Sequence, residues 1–327
     1  KVTYRYNSCR NRHCPKCQAV DRERWMLQRE AELLPVPYYH MVFTLPHVLN
    51  PLARQYPRRV FDALFHAAWQ TIQVFAADSK YLGAKTGMTA ILHTWGQQLW
   101  LHPHLHCIVP GGGITRSGQW QYPKKGKGKY LFPKKAMSPV FRAKFMACLR
   151  ASGVDIPRDI AKLLFEKAWV VYAKRPFASP KTVVEYLGRY THKVAISNHR
   201  LQQVDDRFVV FSYKDYNQGG KKKSMRLSPV EFLRRFCLHI LPSGFVRMRH
   251  YGILASRNKH TELNLAKKAH NMNPWQKVEV QWVEIAEKKL DLAPNRCPAC
   301  QGTLEIPDVL PAQRGPPITQ KPPAYAY

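Results

Sequence analysis

Three histidines in the segment WLHPHLHCIVPGGG, residues 100–113, carry the clearest chemistry in the chain. Their positions, 102, 104 and 106, repeat at the two-residue period with which a strand returns to one face. His102, His104 and His106 therefore share a side, while Leu101, Leu105, Cys107 and Val109 share the other. Successive residues on a side stand about 7 Å apart, close enough for two or three imidazoles to converge on one divalent ion. Neutral imidazole accepts Mn, Co, Ni or Zn, and an ion held there can polarise a phosphoryl or carbonyl oxygen. Pro103 within the strand predicts an edge or bulged position, which leaves the face open to substrate.

The second constellation is SPKTVVEYLGRYTHK, residues 179–193. Ser179-Pro180 starts a helix, and Tyr186 and Tyr190, four apart, present both hydroxyls on one face. Val183, Leu187 and Thr191 form a packing stripe beside them. A phenol with an ordinary pKa near 10 needs help to act as a nucleophile. A metal-polarised phosphate, or the neighbouring Arg189, His192 and Lys193, would supply it. Such a tyrosine pair alone serves packing as readily as chemistry; its weight comes from the histidine strand and the basic surface.

Cys9, Cys14 and Cys17, with His13 interposed, offer three thiolates and an imidazole. A structural zinc site takes four such ligands in tetrahedral geometry; reduced free thiols are the alternative. The interleaved Arg10, Arg12 and Lys16 suit a knuckle that touches nucleic acid. Cys297-Pro-Ala-Cys300 is half of a second zinc site, to be completed from elsewhere. Cys107, Cys148 and Cys237 read as core thiols. Cysteines in short clusters point to chelation in a reducing, cytoplasmic setting rather than to a secreted disulfide framework.

The elements that must position these groups follow from periodicity. A charged amphipathic helix spans about 21–34 and stops at Pro35 and Pro37. Residues 39–45 alternate as a strand, and 51–78 carry apolar residues at helical spacing. Residues 88–95 and 100–109 read as strands joined by a Gly96-Gln97-Gln98 turn, an antiparallel hairpin. Ser138-Pro139 and Ser228-Pro229 mark two further helix starts, the latter with Glu231 in a capping box. Residues 193–197, 200–204 and 207–213 read as strands, the last two joined at Asp205-Asp206. Beyond about residue 291 the chain is proline-rich and reads as a flexible tail.

Composition sets the partner. The chain has 327 residues, 52 Lys+Arg against 21 Asp+Glu and a net charge of +31, with 45% hydrophobic and 12% aromatic residues. That length suits two domains or one with appendages, and the apolar content excludes wholesale disorder. No apolar run approaches the about 18 residues of a membrane span, and the first residues lack the apolar core of a signal peptide. A folded chain this basic requires a polyanion, with nucleic acid ahead of a membrane surface. Lys124, Lys125, Lys127 and Lys129 make one cationic loop and Lys221, Lys222 and Lys223 another. Both suit phosphate tracking, with Trp120, Tyr122 and Tyr130 near the first for base stacking. Arg234, Arg235, Arg247, Arg249 and His250 form a further basic cluster.

Taken in order, YNSCRNRHCPKCQ, HMVFTLPH, HTWGQQLWLHPHLHC, YLGRYTHKVAISNHR and RRFCLHILPSGFVRMRHYGILA resemble the HUH (His–hydrophobic–His) endonucleases, specifically the two-tyrosine transposases of rolling-circle insertion sequences. Histidines ahead of tyrosines match those transposases and replication initiators, not conjugative relaxases. The resemblance places the metal pair on His104 and His106, the nucleophiles on Tyr186 and Tyr190, and Lys193 beside them. The third ligand stays open among Gln97, Gln98, His40 and His102, the last also a candidate for support behind the ligands. It implies an α+β fold: a central antiparallel sheet flanked by helices, with an N-terminal zinc-binding module inside which this sequence starts. His13 or an upstream residue would complete that zinc site. The organisation expected is 1–35 partial zinc module and linking helix, 36–215 nuclease, 216–290 basic helical extension, and 291–327 knuckle and tail. The implied reaction uses Mg or Mn to hold a scissile phosphate of single-stranded DNA, forming a 5′-phosphotyrosine link and a free 3′-hydroxyl. No nucleotide energy source is needed, and no G-x-x-x-x-G-K-[ST] loop is present. DNA is the expected partner, no membrane is involved, and self-association is an option. A replication initiator, a hydrolytic metallonuclease and a non-catalytic zinc-dependent nucleic-acid-binding protein are the competing readings.

Overall fold

The computed structural model describes residues 19–126, 128–173, 176–177, 180–191, 195–290, 293, 295–297 and 299–304, in two units, 1–279 and 280–327. In chain order the first unit has α1 (Ala19–Glu30), β1 (Tyr38–Thr44), α2 (Asn50–Gln55), α3 (Pro57–Ala77), β2 (Gly87–Trp95) and β3 (Leu101–Pro110). There follow β4 (Gly113–Ile114), β5 (Trp120–Gln121), α4 (Lys134–Ala151), α5 (Arg158–Glu166), β6 (Val171–Ala173) and α6 (Pro180–Thr191). The unit ends with β7 (Leu201–Val204), β8 (Val209–Asp215), β9 (Lys221–Leu227), α7 (Pro229–Cys237), β10 (Met248–Gly252) and α8 (Asn264–Lys268). In the second unit, α9 (Trp282–Leu290) is followed by a bridge between Arg296 and Thr303 around the Cys297–Cys300 turn.

The architecture is the expected α+β one. Five strands pair antiparallel in the order β10-β2-β3-β1-β6, which puts the histidine strand in the middle. One face carries Met41, Phe43, Ala90, Leu92, Leu105 and Cys107, buried with the apolar stripes of α3 and α4. Val60, Leu64, Ile72 and Phe75 supply the α3 stripe at helical spacing, and each large side chain buried here contributes roughly 1.5–3 kcal/mol. The opposite face carries the histidines and a smaller cluster in which Ile91, Ile108 and Tyr38 meet Val183 of α6. A second sheet, β7-β8-β9, stands apart.

Several expectations change. The helix expected over 51–78 is two helices, because Pro57 forces Tyr56 out of the helical region, to φ −125° and ψ 56°. Ser138 does not cap α4. The helix starts a turn earlier at Lys134 so that Met137 joins Phe141 and Phe145 in the core, and the Ser138 hydroxyl donates to the Trp169 carbonyl at 2.7 Å. Ser228 does cap α7, accepting from the Glu231 N–H, but the Glu231 carboxylate turns to Arg234 and Arg235 instead of closing the box. Of the two positions that Pro103 allowed, the structure shows the bulged one: β3 is central, and its pairing with β2 slips between His93 and Trp95, opposite Pro103. Residues 195–197 are a bend, while 192–194 lie outside the described residues, as does Ser179. The segment 216–290, expected as a helical extension, adds β9 to one sheet and β10 to the other. Cys107 is buried and Cys148 half-buried, but Cys237 is exposed on α7. Among the described residues no helix is long and apolar enough to cross a membrane.

Candidate metal centre and tyrosine helix

The ladder between β2 and β3 assembles the site. From Trp95↔Leu101 a regular hairpin would set Leu92 against His104 and leave His93 on the opposite face. A register shift between His93 and Trp95 instead pairs His93 with His104 and Ile91 with His106. A one-residue slip moves a strand's side chains to the other face, so the bulge brings His93 to the histidine side. The ligand nitrogens of His93, His104 and His106 all lie within 4.8 Å of one another.

The ring geometry of this trio suits a metal. The His104 Nδ1–H donates to the His102 carbonyl at 2.7 Å, since a carbonyl can only accept. That fixes the tautomer and leaves Nε2 with its lone pair. Burial holds the His104 imidazole down to about 4, so it is neutral and available as a ligand near neutral pH. His106 Nδ1 is 2.9 Å from His40 Nε2, which leaves His106 Nε2 for the cluster. His93 is buried and stacks on Trp95, ring centroids 4.6 Å apart. Three converging imidazoles, with the far nitrogens of His104 and His106 engaged, are a donor set that suits a divalent transition metal.

Tyr186 approaches this trio through His40. The His40 and His106 rings stack at 5.1 Å and 11°, and His40 lies 5.0 Å from the Tyr186 ring. The Tyr186 hydroxyl is 3.4 Å from His40 Nδ1, and Phe177 packs on Tyr186 at 5.1 Å. His40, expected among possible third ligands, thus bridges the tyrosine and a ligand histidine. His102 acts through its backbone carbonyl. The side chain of Tyr190, one turn along α6, lies outside the described residues, as do Lys193 and His192 and the side chain of Arg189.

Two supports hold the site. α6 packs on α1 where Gly188 meets Met26. At its lower end α1 is anchored by a buried cluster: Arg29 pairs with Glu32 at 2.7 Å, Glu32 with Lys259, and Arg29 Nη1 donates to His250 Nε2 at 2.6 Å. Burial raises the Glu32 pKa and lowers those of Arg29, Lys259 and His250, the paired charges offsetting it only in part for the first three.

The hairpin turn is pinned from the other side. Arg200 donates to the Gln97 carbonyl at 2.5 Å and Arg235 to that of Gln98 at 3.2 Å. The His239 Nε2–H donates to the Leu99 carbonyl at 3.1 Å, leaving Nδ1 to accept from the Thr94 hydroxyl at 3.2 Å. These bonds hold Leu99 at φ 61°, a left-handed conformation costly for a residue with a Cβ. The Gln97 side-chain oxygen accepts from the Lys214 N–H at 3.3 Å, turning it toward β8. The Gln97 side chain is thus engaged away from the trio, and Gln98 is held through its backbone carbonyl.

The basic residues expected on DNA divide into groups. Lys124, Lys125 and Lys129 lie in an irregular loop beside Tyr81, whose ring Lys125 overhangs at 5.8 Å. Lys221 and Lys222 are exposed on β9, and Lys223 pairs with Asp215 at 2.9 Å. Arg247 just precedes β10; Arg249 pairs with Asp62 and lies 4.2 Å over Phe65, and His250 is tied to Arg29. Arg10, Arg12, Lys16 and Lys127 lie outside the described residues, as do Cys9, His13, Cys14 and Cys17. Among the described residues no third His, Cys, Asp or Glu gathers with Cys297 and Cys300.

Comparison with known proteins places two segments of the chain in transposase families. Residues 87–261, which span β2, β3, α6 and β10, match the Y2 family model described as "Putative transposase". Residues 1–45 match the transposase zinc-binding domain. The chain is 40% identical to "Putative transposase y4qJ" of Sinorhizobium fredii over 95% of this chain and 83% of that protein. It is 29% identical to the transposase for insertion sequence element IS801 of Pseudomonas savastanoi pv. phaseolicola, over 91% of this chain and 74% of that one. No solved structure matches it.

Proposed function

The chain belongs to the Y2 transposase family, zinc-binding domain included, and on that premise we propose that it cuts and rejoins single-stranded DNA by tyrosine transesterification, in rolling-circle transposition. The observation that supports this reading is the stack Tyr186–His40–His106: the Tyr186 hydroxyl stands 3.4 Å from His40 Nδ1, and His40 Nε2 stands 2.9 Å from Nδ1 of His106, a member of the trio. His93, His104 and His106 would hold a divalent ion, Mg or Mn, whose contribution is to withdraw charge from the scissile phosphate.

The protein's own groups account for the rest. Tyr186 acts as a nucleophile: its oxygen bonds to phosphorus as the P–O3′ bond breaks. The phenol gives up a proton and the departing 3′-oxygen gains one, leaving a 5′-phosphotyrosine and a 3′-hydroxyl. If His106 offers Nε2 to the ion, its Nδ1–H donates to His40 Nε2. The His40 Nδ1–H then points at the Tyr186 oxygen, where it steadies the phenolate. Tyr190, one turn on, serves the other strand transfer while one end stays attached, and Lys193 supplies positive charge to the reaction. Cys9, His13, Cys14 and Cys17 bind the structural zinc of the N-terminal domain, with Cys297 and Cys300 as a second half-site. Arg10, Arg12, Lys16 and the two lysine loops hold the DNA backbone.

The test is adduct formation on end-labelled single-stranded DNA carrying an element end, with Tyr186→Phe, Tyr190→Phe and the double variant. The double variant should form no covalent protein–DNA species. An adduct that survives in it would overturn the nucleophile assignment, and cleavage without any adduct in wild type would indicate hydrolysis instead.

A further inference from the structure

A second aromatic cluster lies beyond the far end of β3 from the histidines. There the residues around β5 face α8 across an open cleft of about 590 Å³, within the range of roughly 300–1,000 Å³ typical of ligand sites. Its lining includes Ser117, Gln119, Trp120, Tyr122, Lys268 and His270. The Trp120 and His270 rings are 5.1 Å apart, and Tyr122 stands edge-on to His270 at 6.5 Å. Tyr122 is 51% exposed, beside half-buried Trp120 and His270. His270 Nε2 is buried without a hydrogen-bond partner among the described residues. No acidic side chain is among the described residues of the lining. The lining has no residue in common with the His93, His104 and His106 trio or with the Tyr186–His40 stack.

Indole, phenol and imidazole faces grouped around one lysine, in a chain of net charge +31, are complementary to a flat heterocycle attached to a phosphate. Duplex DNA hides its base faces in the stack, so only an unpaired strand offers them. We propose that this cleft binds an unpaired nucleobase of single-stranded DNA, stacked on Trp120, Tyr122 and His270, with Lys268 at the adjoining phosphate. The proposal deepens the reading of the chain as a single-strand transferase. It assigns a second holding point, which keeps the strand in place while its phosphate reacts at the histidines.

The test uses the full chain and fluorescent oligodeoxythymidylate, with binding read by anisotropy at one fixed salt concentration. Tyr122→Ala and His270→Ala should each weaken binding roughly tenfold, the loss typical of one base–aromatic stack. Trp120 packs against Gly112, so Trp120→Phe, which keeps that packing, replaces a truncation there. On an abasic strand of equal length the Tyr122 and His270 variants should bind like wild type. Photocrosslinking with 5-iodouracil strands should label peptides 117–122 or 265–270. Unchanged thymidylate affinity in both variants, an equal loss on the abasic strand, or crosslinks only elsewhere would overturn the cleft assignment. If wild type forms no tyrosine adduct yet the variants lose base-dependent affinity, the transferase reading falls and the cleft stands.

Discussion

His93 stands directly across the β2–β3 ladder from His104, and the two imidazoles meet only because the ladder slips by one residue between His93 and Trp95. Pro103, next to His104, has no N–H to give a regular ladder, and its carbonyl is taken by the Leu45 N–H at 3.1 Å. The bulge thus converts two strands, each with an ordinary alternating pattern, into a three-nitrogen cage in the middle of a sheet.

Metal affinity should follow this geometry. His93→Ala should lower Mn affinity by at least about 100-fold, as should His106→Ala, because losing even a supporting partner behind a ligand costs about 10–100-fold. Gln97→Ala and Gln98→Ala should leave it unchanged, since backbone carbonyls that the substitutions keep hold the turn and the Gln97 side chain reaches toward β8. Titration calorimetry with Mn decides; a His93→Ala protein that binds like wild type removes His93 from the site.

His40 should behave differently from a ligand. It touches both the Tyr186 hydroxyl and His106 Nδ1, so His40→Ala should slow adduct formation about 10–100-fold. Its effect on Mn affinity should be smaller than that of His93→Ala, and His40→Gln, which can still hydrogen-bond, should recover part of the rate. Equal loss of metal binding in His40→Ala and His93→Ala would make His40 a ligand after all.

Much of this was legible in the residues, and the parts that were not share a physical cause. Alternation placed β1, β2 and β3 to within about a residue, and the Tyr186 helix followed from its start signal. His93 was not visible because a lone histidine in GMTAILHTW has no period of its own. A hairpin counted regularly from its turn places it on the wrong face, and register is a property of the pair of strands. The signal that could have found it was Pro103, which marks a bulge. Ser138 misled for a related reason: the burial of Met137 outweighed a local capping preference. The Arg29–Glu32–Lys259 cluster joins residues too far apart in sequence for any local pattern to pair.

Stability should fall with acid through His250. Its pKa is held well below the ordinary 6.5 by burial, then by Arg29 and Lys259. The unfolded chain therefore binds a proton that the folded one refuses. The contribution is complete above the unfolded value and is lost as pH falls below it, at up to about 1.4 kcal/mol per pH unit. Glu32 acts in the opposite sense, since burial raises its pKa above the ordinary 4.5 and its contribution is lost as pH rises through the folded value. Denaturant unfolding of metal-free protein between about pH 7 and 5.5 should show the slope. His250→Gln should reduce it by one proton's share, and an unchanged slope would place the acid sensitivity elsewhere.

Gly188 sets how closely the tyrosine helix approaches α1. Glycine inside a helix costs about 1 kcal/mol relative to alanine, so Gly188→Ala in α6 would be stabilising if nothing faced it. A Cβ there would run into the Met26 sulfur, with Cγ at 3.1 Å and Cε at 3.3 Å. The methionine must shift or the helices must part, and Gly188→Ala should gain little or lose stability. In a Met26→Ala background the obstacle is gone, and the same substitution should recover its gain of about 1 kcal/mol. The difference between the two backgrounds measures the contact, with values of about 0.5–3 kcal/mol expected for touching residues. A larger side chain, Gly188→Leu, should displace α6 and with it Tyr186. Misplacement by about 1 Å can cost a reaction about 100-fold, so adduct formation should drop by that order while Mn affinity at the histidines, which sit on the sheet, stays as in wild type. A parallel loss of Mn affinity would show that the packing of α1 on α6 also holds the strands in register.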